Sequence, residues 1–333
     1  MKKIISLILS GMLMVSSVIC AGAVSVDDFS DMPNDWSTPA LTAAVENGLL
    51  TGSDGKILPA DNLTRAQMAT IISRAFGATS KASLADFTDV PSGMWYYEYM
   101  QKAVAMGVFT GDGSGLLTPE NNITREQVFI VLSRAFKLEA GDESVLDKFN
   151  DKAEISSWAR SFTAALVEKG YVNGSAGKIN PKSNITRAEF AQIMYNMVKK
   201  YIDKPTTLTG TYRGNMVIRS SDVKVSANAQ IDGIVVVGES CERVTIDNGA
   251  KMKGLVDNRP SAKPVEKPSE DKTDSTNKNN QTSDDIVWVV DTPFGGAGSG
   301  NTGSGNTGTG TPGVSEDGGY DSDEEGWSGI YRP

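Results

Sequence analysis

The feature that most constrains this chain is an internal repeat, because one unit of about 60 residues is written three times between residues 26 and 202. Each copy carries an aromatic residue two positions before an aspartate, then a tryptophan, two glycines and a Thr-Arg pair at nearly constant spacing. The arginines of successive pairs are 60 and then 62 residues apart. The copies contain Phe29, Asp31, Trp36, Gly48, Gly52 and Arg65, then Phe87, Asp89, Trp95, Gly107, Gly111 and Arg125, and finally Phe149, Asp151, Trp158, Gly170, Gly174 and Arg187.

Each copy has the pattern of two helices joined by a loop. Apolar residues recur at helical spacing after the tryptophan, and Gly48, Gly107 and Gly170 stand where a left-handed helix cap belongs. The second helix has the clearer apolar stripe, which in the first copy is Met68, Ile71, Ile72, Ala75 and Phe76. We therefore expect an α-rich region of three repeats, 26–78, 84–138 and 146–202, with the second helices packed about a pseudo-threefold axis.

The start of each second helix is the main candidate for a binding site. A threonine followed three residues later by Gln or Glu predicts a capping box in each repeat: Thr64 with Gln67, Thr124 with Gln127, and Thr186 with Glu189. Arg65, Arg125 and Arg187 then occupy the first helical position, where the helix dipole disfavours a cation. One explanation is a bound carboxylate or phosphate, which free helix amides and a guanidinium group would suit. The alternative is an ion pair with an aspartate of the neighbouring repeat, such as Asp31, Asp89 or Asp151.

Composition excludes several classes of function. The chain contains no histidine, which excludes Ser-His-Asp and Cys-His catalysis and most catalytic zinc sites. With 32 basic and 41 acidic residues the net charge is −9, so nucleic acid is not an expected partner. Two cysteines leave little room for metal or disulfide chemistry. We therefore expect no cofactor, no metal and no catalytic residues, and we predict that the protein is not an enzyme.

Residues 1–23 have the pattern of a secretory signal peptide. Lys2 and Lys3 precede an apolar stretch from Ile4 to Val18, and Ala21-Gly22-Ala23 forms a small-residue cleavage site. A retained membrane anchor is the alternative, but the stretch is short for a bilayer. A lipoprotein attached through Cys20 is disfavoured because bulky Ile19 precedes it. No later apolar run approaches the length of a membrane span, so we expect an exported protein that is held at the cell by binding.

These motifs together resemble the S-layer homology domain. Ile185-Thr186-Arg187-Ala188-Glu189 matches the signature of that family, and the resemblance covers roughly residues 26 to 200. It implies a three-pronged arrangement of repeats that attaches exported proteins non-covalently to a secondary cell-wall polysaccharide on the peptidoglycan of a Gram-positive-type bacterium. That polymer often bears a pyruvylated amino sugar. The resemblance further implies that Arg65, Arg125 and Arg187 meet the ketal carboxylate in grooves between adjacent repeats.

The first two repeats depart from the signature. Gln67 and Gln127 replace the glutamate, which keeps the capping box, whereas Glu126 replaces an alanine. Glu126 would place a negative charge beside the expected carboxylate, so we expect the groove of Arg125 to be the weakest.

Two further sets of repeated residues are candidate ligand contacts. Trp36, Trp95 and Trp158 would either stack on sugar rings at the groove walls or belong to the core. Gly52, Gly111 and Gly174 most simply serve a turn that needs positive φ, with close approach of the ligand as a second interpretation.

Residues 207–257 predict a small all-β unit. A fainter repeat at an offset of 21 pairs Val225 with Ile246, Ala229 with Ala250, Ile231 with Met252, Gly233 with Gly254, Ile234 with Leu255 and Val235 with Val256. This period resembles short coils of a right-handed parallel β-helix, and a small antiparallel meander is the alternative. The unit is short for a catalytic domain, so a spacer, an interaction module or an assembly surface is the expected role.

Residues 258–333 predict a disordered acidic and Gly-rich tail. One apolar run, Ile286 to Val290, interrupts it and is suited to adding as an edge strand to the β unit or to a partner, such as another surface protein. The predicted function of the whole chain is anchoring to the bacterial cell wall. The alternatives are a wall-anchored polysaccharide-active enzyme with a β-helix catalytic region and a structural S-layer subunit.

Overall fold

The computed structural model describes residues 24–260. The predicted signal peptide and the predicted tail, with its run Ile286 to Val290, lie outside these residues. Within them, the α-helices are α1 Thr38–Glu46, α2 Arg65–Ala75, α3 Tyr97–Ala105, α4 Arg125–Ala135, α5 Ser157–Glu168 and α6 Arg187–Met197. The strands are β1 Val198–Ile202, β2 Thr206–Leu208, β3 Thr211–Arg213, β4 Asn215–Ile218, β5 Val223–Val225, β6 Gln230–Val237, β7 Thr245–Ile246 and β8 Lys251–Asp257.

Local sequence signals set the helix boundaries. The first helices end before Gly48, Gly107 and Gly170, whose φ values of 66, 68 and 71° confirm the predicted left-handed caps. Short 3₁₀ helices at Val26–Asp28, Glu143–Lys148 and Lys152–Glu154 lie at the entrances to the first and third repeats. No helix in residues 24–260 is long and apolar enough to cross a membrane.

A closed ring of backbone hydrogen bonds joins the three repeats just before their second helices. The N–H of Leu63 donates to the carbonyl of Ile185 at 3.0 Å, that of Ile185 to Ile123 at 3.1 Å, and that of Ile123 to Leu63 at 2.9 Å. All three side chains are fully buried. Each repeat therefore donates one bond to a second repeat and accepts one from the third, which makes the contacts cyclic.

Helix packing follows the same cyclic order. The second helix of each repeat packs against the first helix of the next, so that α2 meets α3, α4 meets α5, and α6 meets α1. The second helices also approach one another near their carboxyl ends, where the rings of Phe76 and Phe136 make an edge contact with centroids 5.3 Å apart. The main partner of a second helix is thus a first helix, whereas the sequence led us to expect the other second helices.

The β region is a parallel β-solenoid of about three turns at residues 198–257. One sheet stacks β1, the broken strand formed by β3 and β4, then β6, then β8. A second sheet stacks β2, β5 and β7. Every pairing of these strands is parallel. The predicted β-helix is confirmed, and the antiparallel meander is wrong.

Two details of the β region differ from the sequence interpretation. The first strand begins at Val198, directly after α6, so the solenoid starts within the range assigned to the third repeat. The predicted offset of 21 holds for Ile231 with Met252, but a bulge follows and Val235 then pairs with Leu255 at an offset of 20. The sequence pairings of Gly233 with Gly254, Ile234 with Leu255 and Val235 with Val256 are therefore wrong by one residue.

The solenoid packs on the helices at the end remote from the starts of α2, α4 and α6. The outward side chains Val217, Val236 and Val256 belong to the same buried cluster as the helix interiors. Arg219 donates to the carbonyl of Asn47 at the end of α1. The Glu239 carboxylate accepts from the N–H groups of Thr79 and Ser80, after α2. An 11-residue helix spans about 16 Å, so the starts of the second helices are left clear.

Candidate ligand-binding grooves

The second helices begin as the capping boxes predict. The Oγ1 of Thr64 accepts from the N–H of Gln67 at 3.2 Å, and the Oε1 of Gln67 accepts from the N–H of Thr64 at 3.0 Å. The same reciprocal bonds join Thr124 with Gln127 and Thr186 with Glu189. Arg65, Arg125 and Arg187 are therefore the first residues of α2, α4 and α6.

The remaining amides at these helix starts are already occupied. In α2, the N–H of Arg65 donates to the carbonyl of Asn121 at 2.9 Å and that of Ala66 to Pro119 at 2.8 Å. Both acceptors lie in the loop of the next repeat, and equivalent bonds cap α4 and α6. The prediction that free helix amides help to bind an anion is therefore wrong, because neighbouring carbonyls satisfy them. Any anion must be bound by side chains.

Each arginine reaches across to the next repeat. The Nε of Arg65 donates to the carbonyl of Leu117 at 2.7 Å, that of Arg125 to Ile179 at 2.9 Å, and that of Arg187 to Ile57 at 2.6 Å. These bonds explain why a cation is tolerated at a helix start. We call the three regions groove 1/2 (Arg65 and residues 107–124), groove 2/3 (Arg125 and residues 170–186) and groove 3/1 (Arg187 and residues 48–64).

The guanidinium groups are largely withdrawn from water. Arg65, Arg125 and Arg187 are 6, 8 and 9% exposed. Burial lowers the pKa of all three, that of Arg65 to about 10, and nearby acids oppose the shift. They remain cations at neutral pH. Charges in such surroundings interact more strongly with an anion than charges in bulk water do.

The aspartates of the aromatic-x-Asp motifs hold the loops that the arginines touch. The carboxylate of Asp31 accepts from the N–H groups of Ile57 and Leu58 at 2.6 and 2.9 Å. Asp89 does the same for Leu117 and Thr118, and Asp151 for Ile179 and Asn180. The predicted alternative of an Arg–Asp ion pair does not describe Arg187, which forms no ion pair with Asp31 in the described structure. The two groups are linked through the loop instead.

Groove 2/3 carries an internal ion pair. The Nη1 of Arg125 lies 3.0 Å from the Oε1 of Glu189, the capping-box residue of α6. The corresponding capping-box residues beside Arg65 and Arg187 are the neutral Gln127 and Gln67. A ligand carboxylate at Arg125 must therefore compete with a carboxylate of the protein.

Glu126 points away from Arg125 towards the start of α5. Its carboxylate accepts from the N–H of Ser156 at 3.0 Å and pairs with Lys182 at 2.6 Å, and the residue is 3% exposed. We expected Glu126 to repel a ligand directly. It is instead neutralised by Lys182, which the sequence analysis overlooked. The signal was available, because Lys182 stands where the other repeats have Ala60 and Glu120.

The three tryptophans occupy two different environments. Trp36 and Trp95 precede their helices and are 60 and 59% exposed. Trp158 lies inside α5 and packs against the hydrophobic core. The Glu126–Ser156 bond places the Trp158 segment at groove 2/3. Next to Trp95, the Tyr96 hydroxyl lies 3.5 Å from Glu120, which adjoins the carbonyls that cap α2. Trp95 therefore belongs to groove 1/2, and the pairing of α6 with α1 assigns Trp36 to groove 3/1.

The glycines have a packing role. A Cβ at Gly52, Gly111 or Gly174 would lie 2.3 to 2.6 Å from the ring of Phe29, Phe87 or Phe149 in the same repeat. Gly52 and Gly174 also have φ values of 62 and 70°, as expected for a tight turn. Gly111 does not share that conformation, so the aromatic ring is the common reason for glycine at all three positions.

Two clefts lie outside the grooves. One of about 320 Å³ lies between α1, α6 and β1, and one of about 220 Å³ lies between the ends of α2 and α4 and the solenoid. Neither is lined by any of the nine predicted ligand residues. In residues 24–260, no group of three or more His, Cys, Asp or Glu side chains is arranged to hold a metal ion.

Comparison with known proteins identifies the three repeats. The family model of the S-layer homology domain matches residues 28–69, 86–129 and 148–191, one match for each repeat. An S-layer protein of Bacillus thuringiensis subsp. finitimus is 32% identical over 193 residues, which cover 56% of this chain and 23% of that protein. The surface-layer 125 kDa protein of Lysinibacillus sphaericus is 27% identical over 245 residues, which cover 72% and 18%.

An enzyme shows the same kind of similarity. The amylopullulanase of Thermoanaerobacterium thermosulfurigenes is 30% identical over 177 residues, which cover 52% of this chain and 10% of that protein. The chain thus spans between a tenth and a quarter of the length of these relatives.

The cyclic helical repeats and their matches define a cell-surface anchoring region. The chain carries three S-layer homology domains, and these place it among exported proteins of the bacterial cell wall and cell surface.

Proposed function

We propose that the three S-layer homology domains form a pseudo-threefold unit that anchors the protein non-covalently to a secondary cell-wall polysaccharide bearing carboxylates, such as a pyruvylated amino sugar. The main support for the proposal is the hydrogen bonding of the Arg187 guanidinium group. Its Nε is fixed by the carbonyl of Ile57, while its two terminal nitrogens have no hydrogen-bond partner in residues 24–260. A fixed guanidinium group with both terminal donors available suits a carboxylate.

Two independent features favour the same two grooves. Exposed tryptophans border grooves 1/2 and 3/1, whereas Trp158 of groove 2/3 is partly buried against the hydrophobic core. Gln127 and Gln67 adjoin the arginines of grooves 1/2 and 3/1, whereas Glu189 pairs with Arg125 in groove 2/3. An exposed aromatic ring near a buried cation whose neighbouring capping-box residue is neutral is a combination that suits a charged sugar. Grooves 1/2 and 3/1 are therefore the proposed binding sites.

Two weak grooves on one molecule are sufficient for firm attachment to a polymer. Once one groove holds a sugar unit, a second unit of the same chain meets the other groove at high effective concentration. The gain in avidity is about 10²–10⁴ when the geometry permits both contacts. Because the solenoid lies at the opposite end of the second helices, it leaves both grooves accessible to a long glycan.

The proposal is tested with the purified protein and wall polymer in two forms, with its pyruvyl ketals intact and after their mild acid removal. We expect retention on the intact polymer and loss of most of it on the treated polymer. Equal retention on both forms would exclude the carboxylate as the recognised group. Retention on neither would exclude the polysaccharide.

We propose a non-catalytic role for this chain, although some relatives are named as enzymes. Those names describe proteins of which this chain covers 10 and 16%. The solenoid has only about three turns, and its exposed acids are mainly paired with lysine or arginine. Sugar release from wall or plant polysaccharides would show an enzyme. Assembly of the purified protein into regular sheets would instead show a structural S-layer subunit, and we expect neither.

A further inference from the structure

The interior side chains of the solenoid are buried in its middle coil and partly exposed in its last coil. The core side chains of the middle coil are at most 3% exposed: Val225, Ala229, Ile231 and Val235. Their counterparts in the last coil are only partly buried: Ile246, Ala250, Met252 and Leu255. A solenoid buries its core by stacking neighbouring coils, and its terminal coil needs a cap. Residues 24–260 contain no element that caps this coil.

The outer edge of β8 is also open. Among the described strands, β8 pairs with β6 alone. The N–H of Asn258 donates to the carbonyl of Val237, so alternation along the strand directs the N–H groups of Leu255 and Asp257 away from β6. An open strand edge next to a half-exposed core is a docking surface for another strand.

A strand added to this edge would have both faces covered. In this sheet one face is the solenoid interior, and the other packs on the helices through Val217, Val236 and Val256. For that reason β4 is buried at every position, as are the last three residues of β6. A strand buried on both faces has a continuous run of apolar residues, whereas a strand with one face in solvent alternates apolar and polar residues.

The sequence after residue 260 contains one run of this kind. Ile286 to Val290 are five consecutive apolar residues, four of them β-branched, and no other stretch of residues 261–333 has more than two in succession. The intervening residues 258–285, as a flexible chain, would extend about 30 Å, whereas β8 is about 23 Å long. The run can therefore reach any point of the open edge. Asp285 and Asp291 border it, and the exposed Lys251 at the start of β8 has the complementary charge, whereas Lys253 is already paired with Asp232.

We propose that Ile286 to Val290 adds to the open edge of β8 as a further strand and caps the solenoid of its own chain. The added strand accepts hydrogen bonds from the outward amides of β8 and covers Leu255. It also lines up with Val256 on the helix-facing side.

Hydrogen exchange of the full chain tests the proposal. We expect the amides of β8 to exchange at least about tenfold more slowly in the natural sequence than in the double variant Val287→Asp, Val289→Asp, because the charged strand cannot enter the apolar site. Exchange in α2 and β4 should be the same in both proteins. Thr307→Asp, Thr309→Asp, which places the same two charges at the same spacing in the Gly-rich segment, is the matched control and should leave β8 unchanged.

Three results would overturn the proposal. Equal exchange of β8 in the natural chain and the double variant would show that the run does not cover it. Protection that disappears on dilution would identify a second copy as the occupant. Faster exchange throughout α2 and β4 would mean that the double variant has unfolded. The milder variant Trp288→Ala should then still accelerate exchange in β8 selectively. If it does not, the proposed cap is rejected.

Discussion

Asp31 and Arg187, from the first and third repeats, hold the same residue from opposite sides. The Oδ1 of Asp31 accepts from the N–H of Ile57 and the Nε of Arg187 donates to its carbonyl, both at 2.6 Å. Asp89 and Arg65 hold Leu117 in this way, and Asp151 and Arg125 hold Ile179. The arginine that borders each groove therefore also closes the ring of repeats. Replacing it with alanine would change ligand binding and stability together, so the two effects could not be told apart.

Arg187→Lys separates closure of the ring from binding. Lysine keeps the charge, but its single ammonium group cannot bond the carbonyl of Ile57 and also offer a planar pair of donors to a carboxylate. We expect a loss of about 1 kcal/mol in the free energy of unfolding and a loss of about tenfold or more in affinity for a pyruvylated sugar. Denaturant titration and calorimetric binding measure the two effects.

The matched control is Arg125→Lys. Arg125 is already paired with Glu189, so this change should affect sugar affinity much less than Arg187→Lys does. Equal losses of affinity in the two variants would contradict the ranking of the grooves.

Glu189→Gln should make groove 2/3 available. Glutamine stands at the equivalent positions Gln67 and Gln127 and forms the capping box there, so α6 should still begin at Arg187. The substitution removes the only carboxylate ion-paired with Arg125 in the described structure. We expect the number of monovalent sugars bound per chain to rise from two to three. An unchanged number would show that the packed Trp158, and not the ion pair, closes this groove.

Substitutions of the tryptophans should separate binding from stability. Trp36→Ala and Trp95→Ala remove side chains that are about 60% exposed, so the unfolding free energy should change little while polymer retention falls. Trp158→Ala removes a core contact and should cost about 2 kcal/mol in unfolding free energy with a small effect on retention. Parallel thermal melts and pull-downs distinguish these outcomes. Similar behaviour of all three variants would reject the division into exposed and packed tryptophans.

The features that could be predicted from the sequence are those set by short-range interactions. A capping box needs only the residues from Thr64 to Gln67, so the helix starts and the position of Arg65 follow from spacing. The cap glycines follow in the same way. The acceptors of the first α2 amides could not be predicted, because they belong to the loop of another repeat, more than 50 residues later. For the same reason, the sequence wrongly indicated that backbone amides at the helix start are free to bind an anion.

The β region shows a second limit. The apolar stripe of α6 continues through Val198 in the sequence, but Val198 pairs with Asn215 as the first residue of β1. Tertiary strand pairing thus ends the helix earlier than periodicity predicts. Likewise, a constant offset between coils could not reveal the bulge between Ile231 and Ile234, because a bulge changes the count on one strand only.

The contact between Glu239 and the segment after α2 predicts that acid weakens attachment of the solenoid to the helices. The partial burial of Glu239 alone would raise its pKa, but hydrogen bonds from Ser80 and Thr79 outweigh this effect and lower it. A carboxylate with a lowered folded-state pKa stabilises the protein above its unfolded value, which is about 4.5, and loses that contribution as the pH falls through the folded value.

Glu239→Gln should therefore cost about 1 kcal/mol in unfolding free energy at neutral pH, because the amide cannot accept charge-assisted bonds from both N–H groups. The difference from the natural protein should diminish below about pH 4.5, as the natural side chain becomes protonated. Glu168→Gln, at the end of α5, is the matched control and should change stability little at either pH. Urea titrations at pH 7 and pH 3.5 give the comparison. The same difference in unfolding free energy at both pH values would mean that the negative charge of Glu239 does not contribute to stability.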